Sequence, residues 1–478
     1  MRNFLFVALL GGVAAAGPRL HPVHTANGSV SVDGHTYASQ KAYFESAEWQ
    51  DSGGRCGTPA ITPVEAPAAI AATDCSTNAT NINQAYLDGK TYVIQVVMHV
   101  VSKTDGTGDI TADQVKSQIQ ILNEDYGAIA GSHGAPGNNA SIKFVLARFD
   151  PQGNPTDGID RVQNNTYFEE GDSGTSAMKT ALHWDTSKYL NLYSNDLDGQ
   201  GLLGYATFPW DRTGSPNVDG VVLAYQSVGN NPAHTPYDLG ASATHEIGHW
   251  LGLFHTFQSG CGTANAPYTT GDLLSDTVRE KTANYGCAVV ADGCNDNKNA
   301  PIENYMDYSQ DMCMTTFTPE QIDRMRCSIN NYRVINTEPT AAFSFTNAGL
   351  AVTFTNTSTD AESMATALHY NWDFGDGMTS TDQNPVHTYA MGGNYDVTLE
   401  VVDPMSAAGT LKQSVTLAVT GGGSNGNDAG VSNPMGGDDD GGSSSSGGGC
   451  CQAPKGGLSF VLTAIPVGFV MMRRRRRK

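Results

Sequence analysis

The sequence predicts an α/β domain with a mixed sheet, followed by a smaller all-β sandwich. Three stretches carry this prediction. Thr91–Val101 is an almost unbroken β-branched and apolar run, as a strand covered on both faces requires. Ala243, Ile247, Trp250, Leu251 and Phe254 recur at helical spacing, so one helix buries an apolar face against the sheet. From Glu338 to about Val419 short alternating strands separated by turn signals, without helical period, give the texture of a sandwich.

Taken in order, Met1–Ala16 has Arg2, an apolar run Phe4–Leu10 and small residues ending Ala14-Ala15-Ala16, the pattern of an export signal. As an anchoring helix its apolar core is too short to span a bilayer. Residues 17–90 show little periodicity, carry Arg55-Cys56-Gly57-Thr58 and the Pro/Ala-rich Pro59–Ala72, and read as a pro-segment and linker. The first globular domain, 91–335, continues with a helix over Ala112–Tyr126, where Val115, Ile119, Ile121 and Leu122 share a face, and a strand over Ser141–Ala147. Short strands are expected at Tyr189–Tyr193, Gly204–Phe208 and Val221–Tyr225. A Gly- and Cys-rich stretch follows, and Thr318-Pro319-Glu320, an N-cap with proline at the first helical position, starts a closing helix within Phe317–Tyr332.

The chemistry sits at Thr244 to His255, which reads H-E-x-x-H-x-x-G-x-x-H without a mismatch. Residues four apart share a helix face, so His245 and His249 can bind one zinc ion together. Glu246 is one step round, placed to take a proton from water instead of ligating. Gly252 suits the turn that ends the helix, because only glycine enters left-handed backbone space at little cost, and that turn delivers His255 as third ligand. Three protein ligands leave a fourth position for water. A lone His-Glu pair is usually a solvated face, but five specified positions coincide by chance on the order of 10⁻⁵ times per chain.

The net charge is −21 and the concentrated basic run is Arg473–Lys478 at the extreme end, which argues against a nucleic-acid partner. Nine cysteines include no C-x-x-C pair, and behind an export signal they read as disulfides. Four of those after the zinc motif, Cys261, Cys287, Cys294 and Cys313, can provide two staples for a lobe built of loops. Cys56 has two readings. Its thiolate can fill the open zinc position and keep the enzyme latent, or it can be bonded to Cys75.

The zinc motif followed by a methionine in Asn304-Tyr305-Met306-Asp307-Tyr308 resembles the metzincin endopeptidases, and specifically the pappalysin family (peptidase family M43, cytophagalysin-like). The resemblance runs from about Arg55 to Tyr332 and includes Arg55-Cys56-Gly57-Thr58, Asn123-Glu124-Asp125-Tyr126, Trp184–Asn191, Gly201–Ala206 and Asn304–Met314. It implies a metzincin-type catalytic domain whose Met306 forms the hydrophobic floor of the site, the Met-turn. Tyr308 would hydrogen-bond the tetrahedral intermediate. Disulfides Cys261–Cys294 and Cys287–Cys313, and structural calcium near Asp272 and Thr277, are also implied. Cys75 and Cys327 fit no family pairing.

Residues 338–420, with Trp372-Asp373-Phe374-Gly375-Asp376-Gly377 and His387-Thr388-Tyr389, resemble PKD domains, which are immunoglobulin-like modules. Such a module either spaces the catalytic domain from a surface or binds an insoluble substrate. Residues 421–449 form a Gly/Ser/Asp linker. Residues 450–478 hold Cys450-Cys451, an apolar segment Leu458–Met472 and the arginine cluster, and are similar to C-terminal sorting signals of the MYXO-CTERM kind; the alternative is an uncleaved tail anchor. Fifteen residues span only about 22 Å as a helix, short of a roughly 30 Å hydrocarbon core; membrane association is expected only through this tail, before it is processed. The expectation is a secreted or cell-surface zinc endopeptidase acting on proteins or peptides and made as a latent precursor. The alternative is a surface adhesin that keeps the peptidase domain as a scaffold.

Overall fold

The computed structural model describes residues 23–24, 29–32, 34–51, 54–59, 75, 86, 88–169, 175–197 and 201–418. The expected export signal, most of the Pro/Ala-rich stretch, the linker and the tail with Cys450 and Cys451 lie outside the described residues. No helix among the described residues is long and apolar enough to cross a membrane.

The segment before Thr91 is more regular than its sequence suggests. It holds a small antiparallel sheet of β1 (Val23–His24), β2 (Val30–Val32) and β3 (His35–Tyr37), and the short helices α1 (Gln40–Phe44) and α2 (Ala47–Asp51). Elements this short show no period in sequence; tertiary burial holds them, with Tyr43, Phe44 and Trp49 clustering on Leu203 and Tyr237 of the following domain.

That domain is built on β4 (Tyr92–Ser102), in which every residue is buried. Its side chains alternate between faces. Val96, Met98 and Val100 meet α3 (Ala112–Gly127) in the main core, whereas Val101 joins Phe168 and Met178 of α4 (Asn165–Glu169) and α5 (Thr175–Leu182) on the other side. Two covered faces explain the unbroken apolar run. The mixed sheet runs β5 (Ile142–Leu146), β4, β7 (Tyr189–Asn195), β9 (Val221–Ala224), β8 (Gly204–Ala206), with β6 (Ile159–Gln163) also pairing β4. All pairs are parallel except β8 with β9, so β8 is an antiparallel edge strand.

Helix α6 (Ala241–Trp250) lies against α3, β8 and β9, buried along its whole length. It stops at Trp250, so Phe254 packs beyond the turn with Phe208, Trp210 and Leu273 instead of extending the helical face. The lobe from 251 to 318 is loops and a single 3₁₀ turn, stapled by Cys261–Cys294 and Cys287–Cys313. Helix α7 (Pro319–Tyr332) starts at a reciprocal capping box between Thr318 and Gln321.

The sandwich consists of one sheet β10 (Phe343–Ala348), β11 (Ala351–Asn356), β14 (Val386–Thr388), and a second, β13 (Thr379–Ser380), β12 (His369–Asp373), β15 (Gly393–Val402), β16 (Ala408–Leu417). Trp372, Phe343, Phe354 and Phe374 fill the space between them. The sandwich seats on the preceding domain: Ser406 Oγ donates to buried Gln95 Oε1 at 3.0 Å, Arg148 pairs with Glu400 at 2.9 Å, and the Phe149 and His369 rings stack 4.2 Å apart.

Candidate metal centre

Helix α6 brings His245 and His249 together because they are one turn apart, and Gly252, at φ +93°, turns the chain so that His255 returns to them. A β-carbon at Gly252 would also meet Ser328 Oγ at 2.6 Å. The His249 Nε2 lies 3.2 Å from that of His245 and 3.0 Å from that of His255. His245 Nδ1 donates to Tyr305 O at 2.6 Å and His249 Nδ1 to Leu253 O at 2.7 Å, which leaves both Nε2 atoms as lone-pair donors facing inward.

Lone pairs this close repel unless a cation sits among them, and tetrahedral zinc at its usual bond lengths separates its ligand nitrogens by roughly 3.3 Å. Burial holds all three imidazoles neutral: it pushes His249 down to about 4, and His245 and His255 well below the usual range, helped by the neighbouring rings. Neutral imidazole is the ligating form. The donor set therefore fits a divalent metal of the zinc type.

The fourth donor at this centre is Cys56. Its Sγ and the three imidazole nitrogens all lie within 4.8 Å of one another, the one such group of ligating side chains among the described residues. Cys56 is unbonded, so the Cys56–Cys75 disulfide reading is corrected: Cys75 is bonded to Cys327. The two cysteines that sequence left unassigned find each other because their separation of 252 residues disappears only in the folded chain. Burial, and then the Glu246 carboxylate, push the Cys56 thiol well up. A divalent cation among these ligands inverts that balance and favours thiolate.

The chain from Gly54 to Thr58 lies along the free edge of β8, with Leu203 N donating to Gly54 O and Gly57 N donating to Gly204 O. Thr58 Oγ1 donates to Glu246 Oε2 at 2.9 Å and accepts from Ala206 N at 2.9 Å. Arg55 is buried: it bonds Ser242 Oγ, lies over the Tyr237 ring and reaches Asp311 at 3.5 Å. Thr58 and Asp311 lie in stretches that the sequence marked, Arg55-Cys56-Gly57-Thr58 and Asn304–Met314, but sequence gave neither residue a role of its own. Their only signal was proximity to Cys56 and to the Met306 stretch.

Glu246 lies inside the site, its carboxyl pushed up to about 7 by burial. Gly204 makes room for it, since a β-carbon there would approach Glu246 Cγ to 2.7 Å. Met306 is fully buried beneath α6, and Gly248 is what admits it: a β-carbon at 248 would meet Met306 Sδ at 2.5 Å. The Tyr308 ring stands 4.9 Å from that of His255, and its hydroxyl donates to Cys56 O at 3.4 Å. Under the helix, Asp125 Oδ2 accepts from Thr244 Oγ1 at 2.6 Å and Tyr126 OH donates to Thr244 O at 3.0 Å, so that stretch braces the residue before His245. Asp272 and Thr277 are buried some distance along the chain in the stapled lobe, and Asp272 Oδ2 has no hydrogen-bond partner.

Comparison with known proteins points the same way. The profile of the peptidase M43 family, described as pregnancy-associated plasma protein-A, matches residues 173–330, and a PKD-domain profile matches 336–419. An extracellular metalloprotease of Pyricularia oryzae is 37% identical over 288 residues, covering 58% of this chain and 89% of that protein. One from Verticillium alfalfae is 37% identical over 247 residues, covering 50% and 76%. Among solved structures, mature mirolysin of Tannerella forsythia in complex with a cleaved peptide is 38% identical, covering 49% of this chain and 90% of that one, with a TM-score of 0.43.

Proposed function

The chain belongs to the M43 peptidase family and is a metalloendopeptidase with a metzincin-type catalytic domain and a PKD-like sandwich; from this premise we propose a zinc enzyme, exported and made latent by its own N-terminal segment. The observation that carries the zinc reading is the convergence of three neutral imidazoles with a buried carboxylate beside them. His245, His249 and His255 would hold the ion, which when bound supplies Lewis-acid and water-activating chemistry. Glu246 takes the proton of the attacking water and passes it to the leaving amine. The Tyr308 phenol donates to the oxyanion as the carbonyl becomes tetrahedral. Met306 is a packing residue beneath the site.

Latency follows from the same geometry. Cys56 stands where a fourth ligand would, and Thr58 occupies the base, so the segment blocks both groups the reaction needs. The Cys56→Ala precursor should show peptidase activity before any cleavage, while wild-type precursor stays silent and its Cys56 resists alkylation until zinc is chelated. The test of the catalytic reading is Glu246→Gln in processed protein. It should bind one zinc per chain and lose peptidase activity by several orders of magnitude. Near wild-type turnover in that zinc-loaded variant would sink the mechanism.

Three readings go further. Extracellular relatives and the export-signal pattern of Met1–Ala16 favour secretion or surface display, on proteins or peptides as substrates. Structural calcium at Asp272 and Thr277 rests on the family resemblance alone, since the buried Asp272 carboxyl already has the Thr277 side chain and the Arg324 guanidinium near it. The PKD-like sandwich, seated on the peptidase, supports surface presentation of the catalytic domain. An adhesin is not favoured, since nothing about adhesion needs a base assembled with three ligands.

A further inference from the structure

The Cys75–Cys327 disulfide takes no part in catalysis, and its position divides the N-terminal segment in two. Up to Thr58 the chain belongs to the blocking element across the cleft: Trp49 Nε1 donates to Gly201 O at 3.0 Å, and residues 54–58 follow the edge of β8. Cys75, Tyr86, Asp88 and Lys90 are instead held by helix α7. Cys75 is fully buried and bonded to Cys327, with Asn331 Nδ2 donating to its sulfur at 3.3 Å. Arg326, next to Cys327, bonds Tyr86 O, donates to Lys90 O at 3.0 Å and pairs with Asp88 at 2.8 Å. Residues 75, 86, 88 and 90 are thus fixed to the catalytic body independently of the cleft.

We propose that Cys75–Cys327 is a covalent clasp that sets which cleavages activate the enzyme: only a cut on the N-terminal side of Cys75 frees the blocking segment, and Cys75 itself stays on the mature enzyme. This rests on the latency reading above. A cut on the C-terminal side breaks the peptide bond but leaves the segment joined through the disulfide. The tethered segment then rebinds at an effective concentration of roughly millimolar, against micromolar or less for a released one. Because both sulfurs are buried, the clasp is not readily opened by exchange with outside thiols. Cys75, Tyr86, Asp88 and Lys90, assigned by sequence to the pro-segment and linker, thereby stay with the mature domain.

The test uses the full-length precursor carrying the recognition sequence of a site-specific protease in place of residues 64–70 or, separately, residues 77–83. After cutting at micromolar concentration, peptidase activity and the non-reduced intact mass are measured. The first precursor should lose the N-terminal fragment and become active. The second should keep its full mass until reduced and remain at least 100-fold less active. Adding Cys75→Ser and Cys327→Ser to the second should release the fragment and raise activity to the level of the first. If the second precursor becomes fully active with a Cys75–Cys327 linked peptide present, or if that linked peptide is absent from the native protein, the clasp is overturned. Alkylation of Cys56 in uncut precursor reports the latency reading by itself: rapid alkylation would sink that reading, and the masses would still decide the clasp. Should the double variant misfold, the contrast between the two cuts in the unmodified disulfide background is decisive alone.

Discussion

Thr58 Oγ1 lies 2.9 Å from Glu246 Oε2, so a residue of the N-terminal segment is hydrogen-bonded to the group expected to be the catalytic base. The same hydroxyl accepts from Ala206 N of the edge strand. Thr58→Val keeps the shape but removes both bonds, one of them charge-assisted, a loss of about 2 kcal/mol or roughly 30-fold in docking. Cys56 in the variant precursor should therefore be alkylated on the order of 30 times faster. An unchanged rate would mean that Thr58 does not hold the segment down.

Tyr308→Phe in processed enzyme should lower kcat by roughly 10- to 10³-fold with KM much less changed, because the phenol acts chiefly in the transition state. Steady-state kinetics on one fluorogenic peptide distinguishes the outcomes. An equal loss carried by KM alone would make Tyr308 a binding residue.

The Arg55 guanidinium ends 3.5 Å from the Asp311 carboxylate, both side chains being essentially buried. Once the segment leaves, the Asp311 carboxylate faces the vacated space, and a basic substrate side chain is its physical complement. Cleavage of a peptide library by processed enzyme should be enriched for Arg or Lys at one position beside the scissile bond. Asp311→Asn, which keeps an acceptor for the amides of Leu239 and Ala241, should reduce that preference at least tenfold. A library profile indifferent to charge would refute the assignment.

Burial pushes Asp125 up to about 7 beneath helix α6. A carboxyl whose folded value is raised takes up a proton on folding, so between the unfolded value near 3.9 and about 7 its contribution to stability falls as pH rises, and above 7 the full penalty remains. Asp125→Asn retains an acceptor for Thr244 Oγ1 and does not titrate. Denaturant melts of the two proteins should diverge in favour of Asn as pH rises from 4 to 7 and run parallel above it. A constant difference across that range would show that Asp125 does not carry the shift.

What the sequence by itself determined is local and periodic. One helical turn separates His245 from His249, a glycine three residues on admits the turn that returns His255, and an unbroken β-branched run suits a strand with two covered faces, so the convergence of three imidazoles beside Glu246, the mixed sheet and the sandwich were legible without coordinates. What only the tertiary structure decided is long-range pairing. Cys75 and Cys327 carry no local pattern that marks them as partners, and Cys56 had two chemically reasonable fates until folding placed it 190 residues away against Glu246. The helices and small sheet before Thr58 gave no periodic signal because elements of five residues or fewer are stabilised by what they dock onto, here Leu203 and Tyr237, and not by their own pattern. Spacing along the chain fixes which residues share a face; which faces then meet is settled by closing loops of hundreds of residues, and that information is in the packed core.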